Sequence, residues 1–150
     1  MSESTKELLA RINREVIRYR GVYARWSTLR GVSYNEMLIL YTLQESGSFT
    51  QKQLSDNFRL PRQTVHNVVS GMRREGLLKV SPEHSKGREK AFVLTEKGKQ
   101  YADPLMNDLT AIEEKAVERL TPEKLQILSD LLASYSEALN EELDPEGAGK

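Results

Sequence analysis

The sequence predicts a mainly α-helical chain with one small β-hairpin. Apolar residues recur at alternating spacings of three and four in the first thirty residues and again near the C-terminal end, which is typical of amphipathic helices. Capping and stop signals divide the region between these stretches into shorter helices. Two short apolar runs on either side of a polar loop then indicate the hairpin. At 150 residues the chain fits one domain with a helical extension, and it needs no disulfide or metal to fold.

The composition excludes several classes of function. Hydrophobic residues make up 38% and charged residues 29%, as in soluble globular proteins. No apolar run approaches the ~20 residues of a membrane span, and the first residues lack the apolar core of a signal peptide, so we expect a cytoplasmic protein. The absence of cysteine excludes thiolate catalysis, disulfide sensing and thiolate zinc sites. His66 and His84 lack partners at metal-binding spacing, so we expect no metal site and no cofactor.

The net charge of zero hides a separation of charge along the chain. Residues 1–30 carry seven basic and three acidic side chains, and residues 59–90 carry eight basic and three acidic ones. Residues 103–146 carry three basic and twelve acidic side chains. Because a polyanion meets a local surface rather than the total charge, a basic middle is compatible with DNA binding. The alternative is that these charges only keep exposed faces solvated.

The first thirty residues are predicted to form one helix that ends at Gly31. Its apolar stripe consists of Leu9, Ile12, Val16, Tyr19, Tyr23 and Trp26. Ser33 and Glu36 then form a capping box, in which the serine caps a second helix and Glu36 reaches back to the serine amide. This helix ends at Gly47, and its buried residues are Met37, Leu38, Leu40, Tyr41 and Leu43.

Two further helices follow closely. A second capping box at Thr50–Gln53 opens a short helix to about Asn57, with Leu54 and Phe58 turned inward. Pro61 starts the next helix, because proline is tolerated in a first turn, and Gly76 follows its end. The apolar face of this helix is Val65, Val68, Val69 and Met72.

The hairpin is predicted from strands at residues 77–80 and 91–94, joined by a long polar tip at 81–90. Thr95 then caps a helix through Tyr101, and we expect Pro104 to kink or break it. A helical stripe continues beyond the proline through Leu105, Leu109, Ile112, Ala116 and Leu120. Thr121 caps a last helix whose stripe is Leu125, Leu128, Leu132, Tyr135 and Leu139, and residues 144–150 are predicted to be disordered.

The two short helices of residues 50–75 and the hairpin after them form a helix-turn-helix with a wing. In that arrangement the second helix enters the major groove of DNA, where its outward side chains reach base edges. The outward face here is acid-free over its first turns, and it carries Arg62, Gln63, Thr64, His66, Asn67, Ser70, Arg73 and Arg74. Arginine can bond guanine bidentately, and glutamine and asparagine can bond adenine in the same way. The alternative is an ordinary amphipathic helix with a polar back.

The hairpin tip adds a second basic segment. Its potential cations are His84, Lys86, Arg88 and Lys90, with Gly87 between them. Such a loop can follow a DNA backbone or place an arginine in a narrow minor groove. Together with the amino end of the first short helix, the predicted DNA-binding residues are Thr50, Gln51, Arg62, Gln63, Thr64, His66, Asn67, Ser70, Arg73, His84, Lys86, Arg88 and Lys90.

Four segments resemble the MarR family of winged-helix transcriptional regulators, and the resemblance extends over nearly the whole chain. These segments are Thr50–Leu54, Leu60–Val65, Met72–Leu78 and Phe92–Gly98. The last two flank the wing as the family's leucine-glutamate-lysine-glycine-leucine and leucine-threonine-glutamate-lysine-glycine segments do. The family wing carries Asp-x-Arg, and Arg88 matches the arginine because it lies seven residues before Thr95. Lys86 stands where the family has the aspartate.

The resemblance implies a ligand-responsive repressor that binds pseudo-palindromic double-stranded DNA as an obligate homodimer. Residues 1–32 and 103–143 would be dimerisation helices and residues 33–102 the winged helix-turn-helix domain. The striped terminal helices suit helix–helix seams, although they could also cap their own domain. The family commonly binds small aromatic or phenolic effectors in a crevice between the two parts. Candidate ligand residues, each of which also fits plain core packing, are Tyr19, Tyr23, Trp26, Met37 and Tyr41.

Two other classes of function compete with this interpretation. Gly71–Gly76 has the glycine spacing of a phosphate-binding loop, but Leu77 and Leu78 replace the lysine and hydroxyl residue that hold phosphate and metal. No Ser, His and Asp are recognisably arranged for catalysis, so we expect no enzyme. A winged helix that binds protein instead of DNA would need an apolar outer face on its second helix, where this sequence has polar and basic residues.

Overall fold

The computed structural model describes residues 2–143. In this range the elements are, in chain order, α1 (Glu3–Arg30), α2 (Tyr34–Ser46), β1 (Phe49–Thr50), α3 (Gln51–Phe58), α4 (Arg62–Arg74), β2 (Leu78–Lys86), β3 (Glu89–Leu94), α5 (Glu96–Val117) and α6 (Pro122–Leu143). The predicted fold class, mainly α with a small β-hairpin, is confirmed. The predicted disordered tail, residues 144–150, lies outside the described residues.

The sheet has three antiparallel strands in the order β1-β3-β2, one more than the sequence predicted. The added strand β1 has only two residues, Phe49 and Thr50, which pair with Phe92 and Ala91 of β3. A strand of two residues is too short to show a periodicity in the sequence. It forms by pairing with residues about forty positions later in the chain. The stacked rings of Phe49 and Phe92, 5.7 Å apart, fix it to the core.

The wing differs from the predicted long loop. Strand β2 extends to Lys86, so the tip is only a two-residue turn, in which Gly87 has a φ of 58°. Ser81 pairs with Ala91 and Lys86 pairs with Glu89, so residues 82–85 bulge out opposite one residue of β3. Two serine hydroxyls hold the bulge in place of ladder hydrogen bonds. The sequence pattern does not predict these side-chain bonds.

These hydroxyls make three short hydrogen bonds. The Ser85 hydroxyl donates to the Ser81 carbonyl at 2.6 Å and accepts from the Ala91 amide at 2.9 Å. The Ser81 hydroxyl and His84 Nδ1 lie 2.8 Å apart. Pro82 fits the bulge because this irregular segment does not need its missing amide donor.

Helix caps explain most of the observed boundaries. Gly31 and Gly47 end α1 and α2 at φ values of 72° and 71°, a region that favours glycine. The capping box at Thr50 and Gln53 is complete. The box predicted at Ser33 is only half correct: the serine hydroxyl accepts from the Glu36 amide, but the Glu36 carboxylate accepts from the Tyr101 hydroxyl at 2.7 Å.

Helix α5 runs through Pro104, so the expected break is wrong. Proline removes one amide donor from the helix. The buried face of α5 on both sides of it, with Ala102 and Met106 at most 4% exposed, holds the helix together. The predicted cap is confirmed, since the Thr95 hydroxyl accepts from the Gly98 amide at 2.9 Å. Leu120 lies beyond α5, whereas the predicted stripe included it.

The chain divides between Leu109 and Thr110, within α5, into two compact units. The first contains the core, which α2, α3, α4, the sheet and the start of α5 build around Leu40, Leu54 and Val69. The second contains the end of α5 and α6, where the Thr121 hydroxyl accepts from the Lys124 amide at 3.3 Å. None of the helices in residues 2–143 is long and apolar enough to span a membrane.

Candidate nucleic-acid interface

Helix α4 presents one buried and one exposed face. Val65, Val69 and Met72 are at most 4% exposed and anchor the helix in the core. The opposite face, whose positions recur every three or four residues, consists of the exposed Arg62, Gln63, His66, Asn67, Arg73 and Arg74 with the half-buried Ser70. Thr64 is half-buried at the edge of this face. The structure thus gathers all the predicted α4 residues on or beside one surface.

The turn before α4 holds this surface in position. Arg59 ends α3 in the left-handed region at φ 52°, which is uncommon for a residue with a side chain. The Ser55 hydroxyl donates to the Leu60 carbonyl at 2.7 Å, and the Leu60 amide donates to the Ser55 carbonyl at 3.2 Å. These bonds close the tight turn that the sequence predicted between the two helices.

Two side chains of α4 are already oriented toward each other. Gln63 Nε2 donates to Asn67 Oδ1 at 2.8 Å, one helical turn away. This bond leaves the carbonyl of Gln63 and the amide hydrogens of Asn67 for other partners, and this acceptor and donor pair is the one that adenine requires in the major groove. His66 Nε2 and the Ser70 hydroxyl lie 3.4 Å apart in the same way.

Arg73 has a second contact that the sequence did not suggest. Its guanidinium carbon lies 5.8 Å from the centre of the Phe92 ring, within the range of a cation–π interaction. The arginine is therefore held against β3 and stays exposed at the junction of α4 and the sheet.

The wing residues His84, Lys86, Arg88 and Lys90 are all exposed. Within residues 2–143, no ion pair holds Arg88 or Lys86. Lys86, Arg88 and Lys90 place three cations on the narrow hairpin, beside the exposed carboxylates of Glu83 and Glu89. Such a tip can contact phosphates without first breaking an internal pair.

The amino end of α3 contributes less than its sequence suggested. Thr50 and Gln51 are half-buried, and the Thr50 hydroxyl already accepts from the Gln53 amide at 3.2 Å. Next to them Lys52 Nζ lies 2.6 Å from Asp56, and this hydrogen bond lowers the pKa of the Asp56 carboxyl. Asp56 thus partly neutralises the positive charge of Lys52 in α3.

The sequence analysis placed the Phe92–Gly98 segment beside the wing but did not predict the contacts that its side chains make. The Thr95 hydroxyl donates to the Gly76 carbonyl, and Lys97 Nζ donates to the Glu75 carbonyl at 2.6 Å. A Cβ on Gly98 would lie 2.0 Å from the Leu77 carbonyl oxygen. These contacts join the start of α5 to residues 75–77, which connect α4 to β2.

The five candidate ligand residues differ in burial and contacts within the described structure. Met37 is 2% exposed in the core, while Tyr41 and Tyr23 pack against the core. Tyr19 is 62% exposed, and its hydroxyl donates to that of Tyr23 at 3.2 Å. Neither a cleft between α2, the sheet and α5 nor a smaller one between α2, α3 and α4 is lined by any of the five.

Trp26, the last of these residues, has a structural contact. Its Nε1 donates to Asp108 at 2.8 Å, and Arg30 pairs with the same carboxylate through two bonds of 2.9 and 2.7 Å. The Arg30 guanidinium and the Trp26 donor together hold the pKa of Asp108 below its usual value. This arrangement ties the end of α1 to α5.

The sequence and structure comparisons both find proteins of the MarR family. Residues 30–89, which include α2, α3, α4 and most of the wing, match the sequence profile of the MarR family. A MarR family regulator from Neisseria meningitidis is 27% identical over 96% of this chain and 99% of its own, with a TM-score of 0.80. No curated protein sequence matches the chain.

Two more distant structures share the fold. A Listeria monocytogenes protein assigned to the same family, complexed with 26mer DNA, is 17% identical over 95% of both chains, with a TM-score of 0.69. A Staphylococcus aureus MarR protein in complex with salicylate and kanamycin is 16% identical over 92% of this chain and 93% of its own, with a TM-score of 0.68.

Proposed function

We propose that this chain, whose residues 30–89 match the MarR family of transcriptional regulators, is a sequence-specific repressor of that family. It binds a pseudo-palindromic operator as a homodimer and releases the operator when a small effector binds. In this proposal the protein recognises DNA and catalyses no reaction, and it acts in the cytoplasm.

The outward face of α4 carries the proposal. Gln63 and Asn67 offer a joined acceptor and donor, and Arg62 lies at the start of the same helix. Base readout in the major groove needs such groups on an exposed helix that is fixed by its other face. The exposed wing supplies the cations for the neighbouring phosphates. The distant Listeria relative with bound DNA agrees with this use of the fold.

Exposed apolar surface supports the homodimer. On α1, Ile17 is 70% and Val22 63% exposed, and on α6 Leu131 is 64% exposed. Patches of this kind on two long helices are typical of interaction surfaces. We assign residues 1–32 and 103–143 to dimerisation and residues 33–102 to DNA binding.

The effector is proposed to be a small aromatic molecule. Support comes from the distant Staphylococcus relative, which is bound to salicylate among its ligands. Tyr19, Tyr23, Trp26, Met37 and Tyr41 remain the candidates on this chain, although in the described structure they pack or bond with their neighbours.

A binding screen on the DNA upstream of the protein's own coding sequence tests the proposal. Fluorescence anisotropy with tiled labelled duplexes should identify one segment that binds at least about a thousandfold tighter than random duplex of equal length. Equal affinity for all segments would contradict sequence-specific regulation. Absence of DNA binding, together with capture of a protein partner by α4, would favour the alternative of a protein-interaction module.

A further inference from the structure

Helices α1 and α6 carry rows of opposite charge that have no role in the proposed function. Three arginines of α1 recur at intervals of seven residues, namely Arg11, Arg18 and Arg25. Three acids of α6 recur at the same interval, namely Glu123, Asp130 and Glu137. An interval of seven residues keeps side chains on nearly the same side of a helix and about 10.5 Å apart along its axis. We call these two sets the arginine ridge and the acidic ridge.

Both ridges are exposed along their whole length. Among the ridge residues, all of which lie within the described range 2–143, Arg18 alone forms an ion pair, with Glu15 at 3.2 Å, and both side chains of that pair remain more than half exposed. Asp130 accepts a hydrogen bond from the amide of Gln126 at 2.9 Å, and this neutral partner leaves the charge of the carboxylate uncompensated. A partner of opposite charge can therefore reach both ridges in the single chain.

Neither ridge lies on the apolar stripe of its helix. From the periodicity of a helix, Arg18 lies roughly a third of a turn from Tyr19 and the rest of the α1 stripe. Asp130 lies nearly half a turn from Leu128 and the rest of the α6 stripe. The arginine ridge also includes apolar surface, since Val22 between its last two arginines is 63% exposed. One helix seam covers one side of a helix, so the ridges are left for a second contact.

We propose that the arginine ridge of one homodimer binds the acidic ridge of another, so that homodimers of this chain associate with each other. The ridges match in spacing as well as in sign of charge. When the middle residues Arg18 and Asp130 oppose each other, equal intervals place every arginine opposite an acid, whether the helices run parallel or antiparallel. Charges at heptad positions select the partners of coiled-coil helices in the same way. A nucleic acid would pair with the arginine ridge only, whereas a second copy pairs with both.

The strength of the contact follows from its exposure. Ion pairs between exposed side chains are individually weak and are screened by salt. The contact should therefore be weak between free homodimers and stronger where two of them are held close together. Homodimers on neighbouring operators meet this condition, because binding to one DNA raises their effective concentration to roughly the millimolar range. This part rests on the proposed function, and it predicts cooperative binding to adjacent operators.

Sedimentation equilibrium of the full chain at two salt concentrations tests the contact without DNA. At about 1 M salt, where the screening length is ~3 Å, the protein should remain a dimer as its concentration rises. At about 10 mM salt, where the screening length is ~30 Å, the mass should rise above that of the dimer, and the association constant between dimers should be at least about tenfold larger. Equal masses in high and low salt would overturn the proposal. A monomer in high salt would contradict the homodimer of the proposed function instead, and charge-reversed variants would still test the ridges.

These variants identify the ridges as the contact. Arg18→Glu and Asp130→Arg should each weaken the low-salt association at least about tenfold, because like charges then oppose each other at the middle position. The double variant Arg18→Glu with Asp130→Arg restores opposite charges and should associate like the original protein. The matched control, Arg18→Glu with Glu114→Arg, has the same net charge but places the new arginine at an exposed position on α5, so it should stay weak. Equal association of the two double variants would overturn the proposal.

A duplex with two operators at varied spacing tests the consequence for DNA binding. At one or more spacings the original protein and the Arg18→Glu, Asp130→Arg double variant should fill the second operator at least about tenfold more tightly than the first. Each single variant should fill the two operators independently. Independent binding by the original protein at every spacing, or cooperativity that survives in both single variants, would overturn this part. Failure to find any operator would contradict the proposed function and leave the sedimentation result intact.

Discussion

At the scale of single residues, Gln63 and Asn67 are expected to determine sequence preference. Replacing either with Ala should cost about 1–3 kcal/mol on the best operator and almost nothing on random DNA, because base contacts add to specific binding only. The 2.8 Å bond between them adds a further expectation. The double variant should lose less than the sum of the single losses, since each substitution also frees the other side chain from its partner.

Anisotropy titrations of the three variants on operator and random duplex measure both effects. Equal losses on the two duplexes would show that these residues only position the protein on the backbone. Strict additivity would show that the bond seen in the free protein has no part in recognition.

Gly98 is the residue on which the joint between α4 and the wing depends most directly. An added Cβ would meet the Leu77 carbonyl oxygen at 2.0 Å and the Leu77 carbonyl carbon at 3.0 Å, and backbone atoms cannot rotate away. Gly98→Ala should therefore lower the free energy of unfolding by about 1–3 kcal/mol or more. Gly71→Ala is the matched control, because nothing lies within 4 Å of its Cβ position on α4, and alanine there should be neutral or stabilising.

Urea unfolding at one fixed protein concentration tests this pair, since stability depends on concentration in a dimer. A Gly98→Ala protein as stable as the Gly71→Ala protein would mean that the contact between α5 and Leu77 can widen at no cost. The glycine of the Phe92–Gly98 segment would then not be explained by this close approach.

At the scale of elements, the wing is expected to provide phosphate contacts. Arg88 lies at its tip without an ion pair within residues 2–143, and Lys86 takes the place of the aspartate that the family pattern has there. Arg88→Ala should weaken binding to nearly all duplexes and flatten the plot of log affinity against log salt by roughly one unit per wing. Arg14→Ala, which removes an exposed arginine from α1, is the matched control.

A salt series on one labelled duplex measures the slopes. If the Arg88→Ala slope equals that of the Arg14→Ala protein, the hairpin is not a DNA-binding wing. If A·T-rich flanks lose more affinity than G·C-rich flanks, the arginine enters a narrow minor groove.

The elements also show how far the sequence could predict the fold. The helices α2, α3 and α4 were predictable, because their caps at Ser33, Thr50 and Gly76 are local signals. The site on α4 followed from the same local pattern. Features that depend on a distant partner were not predictable. Strand β1 exists only through β3, and the extended wing depends on hydroxyl bonds across the bulge at Ser81.

At the scale of the whole molecule, the exposed apolar residues of α6 are expected to hold a homodimer together. None of the α6 residues is buried within the single chain, and the helix has a continuous apolar stripe. Leu128 is 50% exposed and Leu131 is 64% exposed. Burying such a stripe stabilises a dimer by about 25 cal/mol per Å² of apolar surface removed from water. The protein should therefore sediment as a dimer at micromolar concentration.

Removing residues 121–150 deletes this helix and should abolish both dimerisation and high-affinity operator binding, because one winged domain contacts only half of a palindrome. Since the truncation removes most of the second unit, a point variant is the sharper test. Leu128→Glu should shift the sedimentation equilibrium toward monomer and weaken operator binding. Ala133→Glu adds the same charge at an exposed position on the far side of α6 from Leu128 and Leu131 and should do neither. A monomeric Leu128→Glu protein that still binds the full operator with unchanged affinity would contradict the dimer as the DNA-binding species. Dimers of unchanged strength in both Leu128→Glu and the truncation would exclude α6 from the interface.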